Sequence, residues 1–326
     1  MRVQICRRKA MNKFKLLAVL FLLPVMAFSQ QQKEERIIIN ENEHAYVNFP
    51  SSETKTQRNV RFVLPQGYLE TRASYPVVYV LGETEHKKTV VSKDAIFVFI
   101  TPAEKELDTA AFTRFLLRDV LIYTDLNFRT KAEPRYRMLA GRNFNAQFVA
   151  NIYQNQTQIE NLALIDVKFF DDLKTFAPQG RILLSGAKKE INRFVFNEKF
   201  KFGGNLLYSF KEDVSLSSIP TDMVFSPEGY AKDFKLFLST DTNGVPRGFK
   251  EGVDMTATLV YKNGFEANYL PLQSDLTIKP SSALIWNEQP QQFFITKSAA
   301  ESAKKRNVKV KLSLLGQTSD LKIKLF

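Results

Sequence analysis

Tyr136-Arg137-Met138-Leu139-Ala140-Gly141-Arg142-Asn143-Phe144-Asn145-Ala146-Gln147-Phe148-Val149-Ala150-Asn151-Ile152-Tyr153 decides the architecture. The apolar run to Ala140 reads as a buried strand, Gly141 punctuates it, and Ala146 to Tyr153 reads as a helix that begins a few residues later. Only a tight turn fits between them. Asn143, inside that turn, is one of the few residue types other than glycine that tolerate a left-handed backbone.

Working outward, Pro76-Val77-Val78-Tyr79-Val80-Leu81 and Ala95-Ile96-Phe97-Val98-Phe99-Ile100 are continuous apolar runs, ended by Gly82 and Pro102. Leu162 to Val167 and Arg181-Ile182-Leu183-Leu184-Ser185 are two more. Strands buried on both faces look like this and imply a parallel sheet covered by helices. From Thr109 to Tyr123, Phe112, Phe115, Leu116, Val120 and Tyr123 recur at helical spacing, the pattern of an amphipathic helix on that sheet. Before residue 64, Arg36-Ile37-Ile38-Ile39, the run His44 to Phe49 and the run Val60 to Leu64 predict antiparallel strands at a sheet edge, the second stopped by Pro50.

After about Leu238 the texture changes. Gly244, Gly248, Gly252 and Gly264 punctuate short alternating strands, including Thr256 to Tyr261, Gln292 to Thr296, Val308 to Leu312 and Leu321 to Leu325. The expected fold class is therefore α/β, a mostly parallel sheet with flanking helices, followed by a smaller all-β, sandwich-like module. The boundaries expected are a leader over 1–29, the α/β domain over 30–238 and the β module over 239–326.

From about Arg58 to Leu238 the sequence resembles the enterochelin-esterase and esterase-D type of esterases within the α/β-hydrolases. Leu64-Pro65-Gln66-Gly67-Tyr68, Tyr75-Pro76-Val77-Val78-Tyr79-Val80-Leu81-Gly82, and Phe115 to Tyr123 followed by Asn127-Phe128-Arg129-Thr130 match that family's local patterns in order. The resemblance makes the stretch at Gly141 a nucleophile elbow, where the family carries G-H-S-x-G-G with serine as nucleophile. Here the aligned residues are Gly141-Arg142-Asn143-Phe144-Asn145-Ala146. Asn143 offers an amide in place of the hydroxyl that a serine hydrolase needs. Asn145 replaces a glycine that lets helix and strand approach closely, which predicts a widened or shifted elbow. The family's histidine aligns with Leu216, and its acid with Glu190.

Other candidates are sparse. His86 follows the Gly82 turn, where the family builds part of its oxyanion hole. Tyr208, Phe210, Phe225 and Tyr230 fall near the same cleft, so the expected ligand-contacting set is Gly82, His86, Asn143, Phe144, Tyr208 and Tyr230. Ser185, Ser217 and Ser218 are the hydroxyls that a relocated nucleophile would draw on. Metal binding would have to rest on carboxylates, with Asp171-Asp172 the first place to look, because His44 and His86 are the only histidines. No metal and no cofactor is assigned.

Met11-Asn12-Lys13-Phe14-Lys15, the apolar run Leu16 to Met26 and Ala27-Phe28-Ser29 form a secretory signal with cleavage after Ser29, since the run is shorter than the roughly 20 residues a spanning helix needs. The only cysteine, Cys6, lies within that leader, so no disulfide or thiolate site is expected in the mature chain. The leader also holds six basic residues and no acid, so its loss lowers the formal charge from +12 to +6. A mildly basic exported protein suits acidic glycans, lipid headgroups or acidic proteins. Export and the lack of a basic cluster interleaved with aromatics argue against nucleic acid.

Taken together, these residues predict an exported pseudo-esterase that is not an enzyme, a non-catalytic binding or scaffold component of the cell envelope, periplasmic, outer-membrane-associated or secreted. Its partner would be another envelope protein or complex, or a glycan. Two alternatives stand beside this reading: an active acyl or carbohydrate esterase with a relocated nucleophile, and a glycan-binding protein using the same cleft.

Overall fold

The alternating segments before residue 64 form β1 (His44–Pro50) and β2 (Gln57–Val63), antiparallel to each other. The apolar runs that follow form β3 (Val77–Leu81), β4 (Ile96–Ile100), β5 (Arg137–Arg142), β6 (Asn161–Ile165), β7 (Ile182–Ser185) and β8 (Leu206–Ser209). These elements come from a computed structural model, which describes residues 44–50, 57–82, 94–101, 108–167, 179–195, 202–212, 214, 219–226, 229–231, 233–242, 244–246, 251–288, 291–301 and 306–326. Ile37 to Ile39, Asp171-Asp172, His86 and the leader lie outside the described residues.

Every residue of β3, β4, β6, β7 and β8 is buried, as continuous apolar runs require. The sheet order is β1-β2-β4-β3-β5-β6-β7-β8, and β4 through β8 are mutually parallel in that order. β2 joins β4 antiparallel, which leaves β1 at the margin of the sheet among the described residues. The fold is thus a mostly parallel α/β sheet, and its parallel strands end along one common edge.

The amphipathic stretch becomes a continuous helical rod with three parts: α1 (Thr109–Arg114), a π-helical segment (Phe115–Val120) and α2 (Leu121–Asn127). Asp108 caps α1 by accepting a hydrogen bond from Ala110 N at 2.9 Å. Phe112, Phe115, Leu116 and Val120 are buried, and Phe112 meets Phe148 of α3 (Phe144–Gln154) edge to face at 5.3 Å. α1 and α3 therefore pack side by side. Two shorter helices used below are α4 (Lys188–Val195) and α5 (Thr221–Val224).

The C-terminal part supplies β9 (Phe234–Thr240), β10 (Gly244–Val245), β11 (Val253–Tyr261), β12 (Glu266–Tyr269), β13 (Leu276–Lys279), β14 (Leu284–Asn287), β15 (Gln292–Ile295), β16 (Arg306–Leu314) and β17 (Gln317–Leu325). These strands do not stand apart from the α/β sheet. β8 bridges to β12 through Tyr208 and Asn268, so the first sheet continues through β12 and β11 to β15 and β14, with β9 also on β11. Phe210 N donates to Asn268 Oδ1 at 2.7 Å and Leu270 N to the Tyr208 hydroxyl at 2.6 Å, which clamps that junction. A second sheet has the order β10-β17-β16-β13.

The boundary expected at residue 238 is corrected: it falls inside β9. The physical reason is shared burial. One contiguous hydrophobic cluster runs from Val78, Val80, Met138 and Ala140 of the parallel sheet to Leu259, Trp286, Val310 and Leu325 beyond residue 238.

Candidate functional site

At the end of β5 the chain reverses at Asn143, which has φ 53° and ψ −125°. A non-glycine residue held at positive φ costs about 1–3 kcal/mol and persists only where its surroundings fix it. Here Asn143 N donates to Ile165 O at 3.0 Å, and Ala146 N donates back to Asn143 O at 3.0 Å. The strand is thereby tied to β6 on one side and the helix is started on the other.

The elbow is not widened, contrary to the expectation from Asn145. A Cβ at Gly141 would lie only 2.7 Å from Asn145 O and from Val149 Cγ2, so α3 sits directly on β5. The Asn145 side chain is accommodated elsewhere: a Cβ at Gly82 would fall 1.9 Å from its Nδ2. Gly82, at φ 90°, has none, and the carboxamide occupies the space. Larger size at one glycine position is absorbed by a glycine on the neighbouring strand.

Strand register collects the site. Gly141 lies beside Leu81 and Leu164, Leu164 beside Leu184, and Leu184 beside Tyr208. Gly82, Asn143, Asp166 and Gly186 consequently line one edge, where Asp166 also takes a positive φ of 52°. Asn143 is exposed there and Phe144 is 73% exposed. The N–H groups of Phe144 and Asn145 precede the first intrahelical bond of α3, so they and the exposed Asn143 carboxamide offer donors suited to a carbonyl or anionic oxygen. Arg142 donates to Val214 O at 3.0 Å, which fastens Val214 to the elbow.

The remaining candidates scatter. Glu190 stands in the first turn of α4, half-buried, with its N–H on Ala187 O. Ser185 is buried and its hydroxyl donates to Lys211 O, so its proton is committed to the backbone. Tyr208 is corrected as a cleft residue: it is fully buried, its hydroxyl accepts from Leu270 N, and burial raises its pKa well above the usual phenol value. Tyr230 is corrected too. It is fully buried, and the adjacent Gly229 lies against the Arg181 guanidinium, at the amino end of β7 and away from the elbow edge. Phe210 is half-buried with its ring tilted against Tyr208 at 5.9 Å, and Phe225 packs on the main hydrophobic cluster. His86, Leu216, Ser217 and Ser218 lie outside the described residues. Sequence reasoning missed Arg142 and the Asn145–Gly82 fit, and neither has a signal in local sequence because both are contacts between distant segments.

Among the described residues, no helix is long and apolar enough to cross a membrane. No family model and no curated protein matches the sequence. Solved structures similar to it include enterochelin esterase from Shigella flexneri, with 11% identity over 55% of this chain and 56% of that one and a TM-score of 0.44. Others are ferric enterobactin esterase from Salmonella typhimurium, at 16% identity, 51% and 50% coverage and a TM-score of 0.40, and an IroE-like serine hydrolase from Shewanella oneidensis, at 16% identity, 44% and 60% coverage and a TM-score of 0.35. The chain thus matches between half and three fifths of the length of these structures.

The expectation of a chain that is not an enzyme is corrected, because a missing hydroxyl at Asn143 does not by itself show inactivity. The three solved structures named above are described as two esterases and a serine hydrolase. The amide at Asn143 speaks for one position, and it does not account for the serines at 217 and 218.

Proposed function

We propose that the protein is an exported ester hydrolase that receives an acyl or carbohydrate ester at the edge formed by Gly82, Asn143 and Gly186. The observation that carries this reading is the elbow at Asn143, kept at φ 53° and ψ −125° with its residue exposed to solvent. Strain of that kind is retained where a group must be presented to a ligand. An amide does not attack an ester carbonyl, so Asn143 positions the carbonyl or a water, and attack comes from a hydroxyl or water brought by another segment. Ser217 and Ser218, which lie outside the described residues, are the hydroxyls proposed, on their place in the sequence alone. Export rests on the leader ending at Ser29, and an envelope protein or glycan as partner rests on export.

A carbohydrate moiety is favoured by Phe144. An exposed aromatic ring beside an exposed carboxamide offers a sugar both a stacking face and hydrogen bonds. The test is turnover of short-chain nitrophenyl esters and acetylated sugars by the purified protein. Turnover lost in Ser217→Ala or Ser218→Ala and reduced in Asn143→Ala, with folding intact, is the expected result. A folded protein that turns over none of these esters overturns the proposal.

A further inference from the structure

The sheet β10-β17-β16-β13 has one covered face and one open face. Val308, Val310, Leu312 and Leu314 of β16 and Ile323 and Leu325 of β17 point into the core. Alternating with them, Lys309 and Lys311 on β16, Lys322 and Lys324 on β17 and Lys279 on β13 are exposed. The register places Lys279 opposite Lys309, and Lys309 opposite Lys322, so three lysines form a row across three neighbouring strands. Lys311 lies between Thr277 and Asp320, and Lys324 faces Asn307. Asp320, paired with Lys309 Nζ at 2.9 Å, is the single acid in β13, β16 and β17.

Like charges directly opposite each other weaken a ladder. A row of them on a sheet whose other face is already well packed needs a reason beyond folding. Phe326, whose exposed ring lies against Gly244 beside Lys324, is the one aromatic at the edge of this face, and the other outward residues, Thr277, Asn307, Ser313 and Thr318, are small and polar, so the face lacks the series of aromatic platforms that single-stranded nucleic acid uses. Neighbouring strands lie about 4.8 Å apart and alternate residues about 6.7 Å apart along a strand. The lysines therefore form a closely spaced array on one face, carried on flexible stems.

We propose that this face docks on an anionic phospholipid surface, with the five lysines meeting headgroup phosphates. A bilayer is flat and its headgroups are laterally mobile, so all five can be engaged at once by rearrangement of the lipid, which a rigid protein partner does not provide. The recognised chemistry is phosphate, and the bilayer is the source that a spread array of exposed lysines on one face favours.

The test is sedimentation of the purified protein with vesicles of phosphatidylcholine alone and with phosphatidylglycerol added. Binding to the anionic vesicles only, abolished by salt near 1 M, is expected. Each lysine near such a surface is worth roughly fivefold in affinity, so Lys279→Gln, Lys322→Gln and Lys324→Gln together should weaken binding on the order of a hundredfold. The melting temperature should hold or rise, because the change removes repulsion. Lys235→Gln, Lys262→Gln and Lys297→Gln, which remove the same charge from other surfaces, should leave binding within a few-fold of the parent.

Equal binding to neutral vesicles overturns the proposal, as does equal loss in the two triple variants or parent-like binding by the first. Capture of soluble polyphosphate without capture of anionic vesicles also overturns it, since phosphate would then be recognised free of a bilayer.

Discussion

Gly82→Ala carries the strongest consequence of the elbow's packing. The new Cβ would sit 1.9 Å from Asn145 Nδ2 and 2.5 Å from its Cγ, on a backbone at φ 90°. Two costs combine. The left-handed conformation disfavours a Cβ by about 1–2 kcal/mol, and forcing the carboxamide aside adds overpacking of about 1–3 kcal/mol. The single substitution should therefore destabilise the protein by about 2–5 kcal/mol. Asn145→Ala removes the two closest contacts and leaves only its own Cβ, 3.2 Å from the new one. In that background Gly82→Ala should cost only its backbone share, so a double-mutant cycle followed by urea denaturation should return a coupling of about 1–3 kcal/mol. Costs that add to within about 0.5 kcal/mol would refute the argument, because they would show that Gly82 and Asn145 do not compete for one space.

Arg137 lies at the start of β5 with Nη2 2.6 Å from Asp125 Oδ2 and Nη1 donating to Gln158 O, its side chain only 7% exposed and that of Asp125 17%. Arg137→Met strands a largely buried carboxylate and should destabilise by about 3–5 kcal/mol in chemical denaturation; a loss below 1 kcal/mol would count against it. Burial, first among the causes, raises the phenol pKa of Tyr79, Tyr153, Tyr208, Tyr230, Tyr261 and Tyr269. In the unfolded chain these phenols ionise near pH 10 while the folded ones stay protonated, so the folded state holds more protons there. Stability should be unaffected by them below pH 10 and fall as pH rises above it. Phenolate absorbance should then show these six of the eleven tyrosines ionising only as the protein unfolds; early titration of all eleven would contradict their burial.

Much of the α/β sheet was legible because its signal is local. A run such as Ala95 to Ile100 has no polar face and so predicts a strand covered on both sides, which β4 is. The elbow was legible for the same reason, since Gly141 and Asn143 fall between a strand pattern and a helix pattern. The rod from Thr109 was read as one α-helix, and its interior is π-helical, a change of hydrogen-bond spacing that leaves the apolar periodicity nearly intact. Strands after residue 238 are legible from their alternation, whereas the short helix Lys297–Ala300 between β15 and β16 is not. The union of these strands with the first sheet is not legible either, because one bridge between Tyr208 and Asn268 depends on pairing across 60 residues of chain.

The sequence by itself determined the element types, the place of the turn at Asn143 and the lack of a hydroxyl there, since each depends on residue chemistry and short spacing. Only the tertiary structure decided that Asn145 fits beside Gly82, that Tyr208 and Tyr230 belong to the core, and that Lys279, Lys309 and Lys322 stand in one row. The physical reason is common to all three. They depend on register and packing between segments far apart in the chain, and a strand shifted by one residue would turn the same side chains to the opposite face.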